Sequence, residues 1–190
     1  MRSRTQSIVL CGLSIALLAV GAAITLPFGP VPFTLQTLML ILIVLILTPQ
    51  ETVAAVGGYL LLGAIGLPLF SGFRGGFGIL LGPTGGFLMG FFVAALLVAA
   101  LRGAFGPKAT GKKGSLALDV ASILIVILSY YAFGLAWFMS LTGSTLTGAL
   151  GLCVLPFLIP DAIKAAAAFI CAQPVRIALK RAVPTALNPS

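Results

Sequence analysis

Long apolar runs broken by short polar or proline-rich punctuation dominate this chain. The first run spans about 8–26 and ends at PFGPVP (27–32), where three prolines in six residues force an extended turn. A second covers about 33–47 and is closed by TPQE at 48–51. A third, short and glycine-rich, covers about 52–67, and a loop at 68–85 leads to a fourth at about 86–101. The stretch RGAFGPKATGKKG (102–114) is the clearest polar linker, and a fifth run follows at about 116–141. Residues 146–170 read as one apolar run, but Pro156 and Pro160 interrupt it. Proline is tolerated in the first turn of a helix and disfavoured inside one, so a sixth helix is expected from Pro160 to about Arg181, with a kink at Pro174. At about 1.5 Å per residue such a helix is long enough to cross a hydrocarbon core of about 30 Å. Residues 142–159 then form an apolar cap or re-entrant stretch.

The runs are continuously apolar rather than alternating, which argues against a β-barrel. Of 190 residues, 60% are hydrophobic and only 7% charged, too few charges to cover a water-facing surface. The expectation is an all-α integral membrane protein of six transmembrane helices, one domain over 1–190, surrounded by lipid. Its basic N-terminus followed by an apolar run imitates a signal peptide. That run is too long for a signal h-region, so it is expected to stay as the first transmembrane helix.

Charge orients the layout. With the N-terminus cytoplasmic, Arg2, Arg4, Arg102, Lys108, Lys112, Lys113, Arg176, Lys180 and Arg181 all fall inside, which is nine of the eleven basic residues. Positive residues favour cytoplasmic loops, so both termini are expected in the cytoplasm of a prokaryotic cell membrane. The net charge of +8 sits at the ends of apolar runs rather than on one face, so it gives no nucleic-acid-binding surface. Arg74 and Lys164 are the two exceptions, on the outer side.

Three acidic residues are present. Glu51 and Asp119 read as solvated residues at the cytoplasmic interface. Asp161 and Lys164, in PDAIKAAAAF, lie three apart on one helix face. They form either an ion pair at the helix start or part of a ligand site. Topology gathers Arg74, Asp161, Lys164, the proline turn, Thr34 and Gln36 on the outer side, near Phe33, Phe70, Phe73 and Phe77. Two cations and one anion among apolar walls suit a small amphipathic ligand with one carboxylate. Gly72, Gly75 and Gly76 would let the loop backbone approach that ligand.

Small residues recur every fourth position at Gly82, Gly86, Gly90 and Ala94, a face for close internal packing. Gly12 with Ala16, and Ala19 with Ala23, make a second set, which either packs internally or meets a partner subunit. Cys11, Cys153 and Cys171 lack metal-ligand spacing and read as small apolar residues. Histidine is absent, and no HExxH, GxSxG or P-loop motif occurs, so neither an enzyme nor a self-powered transporter is indicated.

At GPVPFTLQTL (29–38), GLPLFSGFRGGFGILLGPTGGFLMGF (66–91) and PDAIKAAAAF (160–169) the sequence resembles the BioY family. These are the biotin-specific substrate-binding (S) subunits of energy-coupling factor (ECF) transporters. The resemblance implies the ECF S-component fold of six helices. It also implies an outward-side biotin pocket closed by the first and third outer loops, and no enzymatic activity. It implies pocket roles for Asp161 and Lys164 and for the loop position held here by Arg74, which is asparagine in some relatives. Biotin would be the transported ligand, with no cofactor. The implied partners are a transmembrane coupling protein, docked on the first helix at Gly12, Ala16, Ala19 and Ala23, and two cytoplasmic ATPases.

Overall fold

Ser3 opens the first helix by a reciprocal cap: its side chain accepts from the Gln6 N–H at 3.2 Å while its own N–H donates to Gln6 Oε1 at 2.9 Å. That helix, α1 (Arg4–Ala23), begins a computed structural model that describes residues 3–27 and 29–182, leaving aside the side chains of Lys180 and Ala182. Arg2 and the Lys180 side chain, two of the expected cytoplasmic cations, lie outside the described residues. The proline turn closes a minimal antiparallel hairpin, β1 (Thr25–Leu26) with β2 (Phe33–Thr34), in which Thr25 faces Thr34. Then come α2 (Gln36–Ile46), α3 (Pro49–Ala64), the short α4 (Phe77–Leu80), α5 (Gly85–Phe105), α6 (Gly111–Thr142), α7 (Leu146–Cys153) and α8 (Leu158–Ala182).

The six longest described helices fall where the six apolar runs are, with informative differences. The hairpin takes up residues 33 and 34, so α2 has only 11 residues and rises about 16 Å. By length and composition four stretches among the described residues are long and apolar enough to cross a membrane, namely α1, Gly85–Lys108, α6 and Leu146–Leu179. The last takes in α7 and most of α8, and α2 is a shorter apolar helix. The polar linker is shorter than its composition suggests: α5 continues to Phe105, and α6 begins at Gly111 and runs for 32 residues. Residues 142–159 hold α7, a single 3₁₀ turn and the start of α8. Helix α8 starts two residues earlier than the proline suggested. Pro160 still sits in its first turn, where the N–H it lacks would have no helical partner.

The helices α5 and α6 approach most closely, and glycine is the reason. A Cβ on Gly86 would run into the Trp137 Cβ and the Phe133 carbonyl oxygen, and one on Gly134 into the Phe87 ring. Gly86, Gly90 and Ala94 are buried, so this stripe packs internally as its spacing predicts. Gly82 lies before the helix, and its carbonyl accepts from Trp137 Nε1 at 2.9 Å. Gly86→Val should therefore lower the melting temperature in detergent, at a cost of about 1–3 kcal/mol for overpacking against backbone. Gly12→Val, where nothing lies within 4 Å of an added Cβ, should leave the melting temperature close to wild type.

Two expectations are corrected here. Glu51 and Asp119 are buried rather than solvated. Glu51 accepts from Ser7 Oγ at 2.7 Å and from the Thr48 N–H at 2.9 Å, tying α1 to the start of α3. Asp119 holds two arginines: Arg102 Nη2 donates to it at 2.6 Å, and Arg176 does so through Nη1 and Nη2, both at 2.6 Å. Arg176 Nε also reaches the Leu45 carbonyl at 2.8 Å. One carboxylate thus joins α5, α6 and α8, and Arg176 extends the junction to the end of α2. Basic residues that the charge rule explains by topology here also hold helix ends together.

Candidate ligand pocket

The first two turns of α8 project Asp161 and Lys164 inward from one face, with Lys164 Nζ 2.8 Å from Asp161 Oδ1. Both residues are about 5% exposed or less, so the pair is not a solvated bridge at the helix start. Burying two charges is unfavourable unless their remaining hydrogen-bonding capacity is met. Helix α6 meets it on the acid side: the adjacent hydroxyls of Tyr130 and Tyr131 both donate to Asp161 Oδ2, that of Tyr131 at 2.7 Å. On the base side the Lys164 ammonium lies 3.9 Å from the centre of the Phe33 ring, contributed by β2.

The hairpin, α2 and the glycine-rich loop supply further lining residues, and the hairpin reaches Lys164 itself through Phe33. Gln36 is buried, and its Nε2 donates to the Tyr59 hydroxyl at 2.7 Å. In the loop, Phe70 N–H donates to the Arg74 carbonyl at 2.8 Å and Arg74 N–H to the Phe70 carbonyl at 3.3 Å. The reversal between them needs positive φ at Gly72 (72°) and Phe73 (57°). The Phe70 ring is fully buried in a notch that exists because residue 63 is glycine. The loop is tied to the hairpin by Ser71 Oγ and Thr25 Oγ1, 3.0 Å apart. Arg74 remains exposed, and its Nε donates to the Ser71 carbonyl at 3.1 Å. Among the described residues no carboxylate pairs with it.

Between these elements lies a pocket enclosing about 650 Å³ of space, counted out to its open mouth. Its apolar surface comes chiefly from Phe70, Phe87, Phe91, Tyr130 and Phe157, and its polar groups include Arg74, Gln36, Asp161 and Lys164. With the Asp161–Lys164 pair neutral as a unit, the remaining positive charge of the lining belongs to Arg74, on the glycine-rich loop.

The structure brings Arg74, Gln36, Asp161 and Lys164 to one cavity and leaves out several residues expected there. Gly75 and Gly76 do not line it. Gly75 is packed against the carbonyl oxygens of Gly66 and Leu67, where a Cβ has no room, and Gly76 N–H donates to the Gly63 carbonyl at 2.7 Å. These glycines therefore fold the loop onto α3. Phe73 and Phe77 point away, 70% and 63% exposed. Sequence reading missed Tyr130 and Tyr131. The available signal was a pair of hydroxyl-bearing rings in mid-run, since a buried tyrosine hydroxyl needs a partner. On α1, Gly12 and Ala16 are exposed while Ala19 and Ala23 are half-buried, so the four small residues are not one free face.

Comparison with known proteins is decisive at this point. The sequence matches the family model described as BioY family over residues 1–181. The chain belongs to the BioY family. It is 36% identical over 170 residues to the "Probable biotin transporter BioY" of Pyrococcus horikoshii, covering 90% of this chain and 96% of that one. It is 40% identical over 129 residues to the "Biotin transporter BioY" of Thermotoga maritima, covering 68% and 72%. Among solved structures it matches the S-component for biotin from an ECF-type ABC transporter with a TM-score of 0.79 and 23% identity, over 93% of this chain and 95% of the other. At that identity the likeness establishes the fold. This BioY-family chain has the helical architecture of an ECF S-component.

Proposed function

We propose that this protein is the high-affinity biotin-binding subunit of an ECF-type uptake system. The observation that carries the reading is the lining of the pocket, which joins a buried acid–base pair on α8 to a guanidinium on the glycine-rich loop. The names of the relatives supply the ligand. Biotin has a neutral ureido ring with two N–H donors and a carbonyl, an apolar body, and a carboxylate at the far end. Lys164 has donors left for the ureido carbonyl. The hydroxyl oxygen of Tyr130 or Tyr131 can accept a ureido N–H while its proton stays on Asp161, a chain that ends on a fixed negative charge. The aromatic walls take the apolar body. Arg74 suits the carboxylate, since a guanidinium grips it with two parallel hydrogen bonds.

Purification in detergent from biotin-fed cells, followed by identification of the retained small molecule, tests this directly. Bound biotin is the expected result. Another retained vitamin would keep transport and change the cargo, and an empty protein indifferent to biotin would leave a structural subunit whose outer cluster staples loops. Arg74→Gln should weaken biotin more than biotin amide, because only the acid loses a charge-assisted contact.

On the same reading the chain crosses the prokaryotic cell membrane six times with both termini inside, and energy comes from a transmembrane coupling protein and two ATPases. The exposed part of the small α1 face, Gly12 and Ala16, is where the coupling protein would dock. Reporter fusions after Arg181 or within 102–114 should signal cytoplasm, and one within 71–79 outside. An external signal from 102–114 would put the pocket on the wrong side of the membrane.

A further inference from the structure

Tyr59, on α3, is fully buried and is not among the pocket-lining residues. One hydrogen bond of its hydroxyl nevertheless ends on the pocket-lining Gln36, and the other on Leu69, the residue before the pocket-lining Phe70. It accepts from Gln36 Nε2 at 2.7 Å and donates to the Leu69 carbonyl at 2.8 Å. Its ring meets that of Phe70 edge-on, with centroids 5.5 Å apart. Phe70 in turn exchanges backbone hydrogen bonds with Arg74. A single hydroxyl therefore joins Gln36, at the start of α2, to the loop that carries the lone guanidinium.

The direction of these bonds is set by chemistry. A backbone carbonyl only accepts, and a tyrosine hydroxyl has one proton. Tyr59 gives that proton to Leu69, so it must accept from Gln36, and only the amide nitrogen of Gln36 can donate. The NH₂ group of Gln36 is thereby turned toward Tyr59 and its Oε1 toward the Thr34 hydroxyl, 3.2 Å away. Reversing the amide would aim two acceptors at one proton and leave one of them unsatisfied in a buried place.

We propose that Tyr59 is a positioning residue for the pocket. It determines which edge of the Gln36 amide a ligand meets, and it seats the Arg74 loop, so one buried hydroxyl places two of the cavity's polar groups. Only the binding half of its test rests on the biotin reading.

Tyr59→Phe removes the hydroxyl and keeps the ring against Phe70. A nitroxide on Phe73→Cys, at the exposed loop tip, with Cys11, Cys153 and Cys171 changed to alanine, reports loop motion in the ligand-free protein. Tyr59→Phe should shift its spectrum toward faster, broader motion and weaken biotin about tenfold, mainly through faster release. Gln36→Leu should weaken biotin similarly and add little in the double variant, because both changes break one relay. Val98→Ala is the control for stability alone: residue 98 is buried elsewhere on α5, and its loss should lower the melting temperature while leaving label and release rate unchanged. If Tyr59→Phe behaves like Val98→Ala, or if its effect and that of Gln36→Leu simply add, the proposal is overturned. A wild-type protein that ignores biotin overturns the ligand assignment instead, and the nitroxide spectrum, recorded without ligand, still decides the relay.

Discussion

Asp161→Ala should leave a poorly folded protein that retains no biotin, whereas the double variant Asp161→Asn with Lys164→Met should fold and still retain none. The single change strands the Lys164 ammonium, which is buried and has its carboxylate partner at 2.8 Å. Removing one member of a buried ion pair costs about 3–5 kcal/mol, largely because the survivor is left uncompensated. It also takes the acceptor from Tyr130 and Tyr131. The double change removes both charges together, and the asparagine carbonyl still accepts from the tyrosines, so folding recovers. Binding does not recover, because hydrogen bonds to charged groups contribute about 1.5–3 kcal/mol each. Losing the one from Lys164 lowers affinity by roughly one to two decades, and the tyrosine hydroxyls that accept from the ligand no longer end on a negative charge. Melting curves in detergent and biotin titration separate the two effects. A double variant that binds biotin like wild type would reduce the pair to a structural bridge and send the search for the site elsewhere.

Asp119→Ala should also destabilise the protein, somewhat less strongly, while sparing the pocket. Asp119 is 2% exposed and is the shared acceptor of Arg102 and Arg176. Without it two guanidiniums face each other with no counter-charge, and the junction of α5, α6 and α8 is held only by what remains. The arginine side chains keep 13% and 20% exposure, so solvent relieves part of the repulsion. The lower end of the 3–5 kcal/mol range is therefore expected. Asp119→Asn, which keeps one acceptor oxygen, should fall between. Biotin affinity of the folded fraction should match wild type, since none of the three residues lines the pocket. A wild-type melting temperature for Asp119→Ala would mean that the cluster contributes nothing to holding the helices. A loss of affinity without loss of stability would mean that it communicates with the pocket.

The membrane class, the helical architecture and the meeting of Asp161, Lys164, Arg74 and Gln36 were readable from sequence, because each begins from local chemistry. Continuous apolar runs have only one comfortable environment, and proline and glycine break helices wherever they fall. Asp161 and Lys164 stand out because charge is rare in such a chain, and an ionisable residue within an apolar run is a candidate for function. Sequence also grouped Arg74 and Gln36 with them, through topology alone. What it could not supply was direction. Gly75 and Gly76 share a loop with Arg74, yet Gly75 presses against the carbonyls of residues 66 and 67 and Gly76 bonds to the Gly63 carbonyl, while Arg74 lines the cavity. Asp119 looks like an interface residue until α5 and α8 bring arginines from 17 and 57 positions away. Tyr130 and Tyr131 acquire their acceptor 31 and 30 residues later in the chain. Local periodicity is a property of neighbours in sequence, whereas the partners of a buried polar group are chosen by how helices pack, and only the tertiary structure decides that.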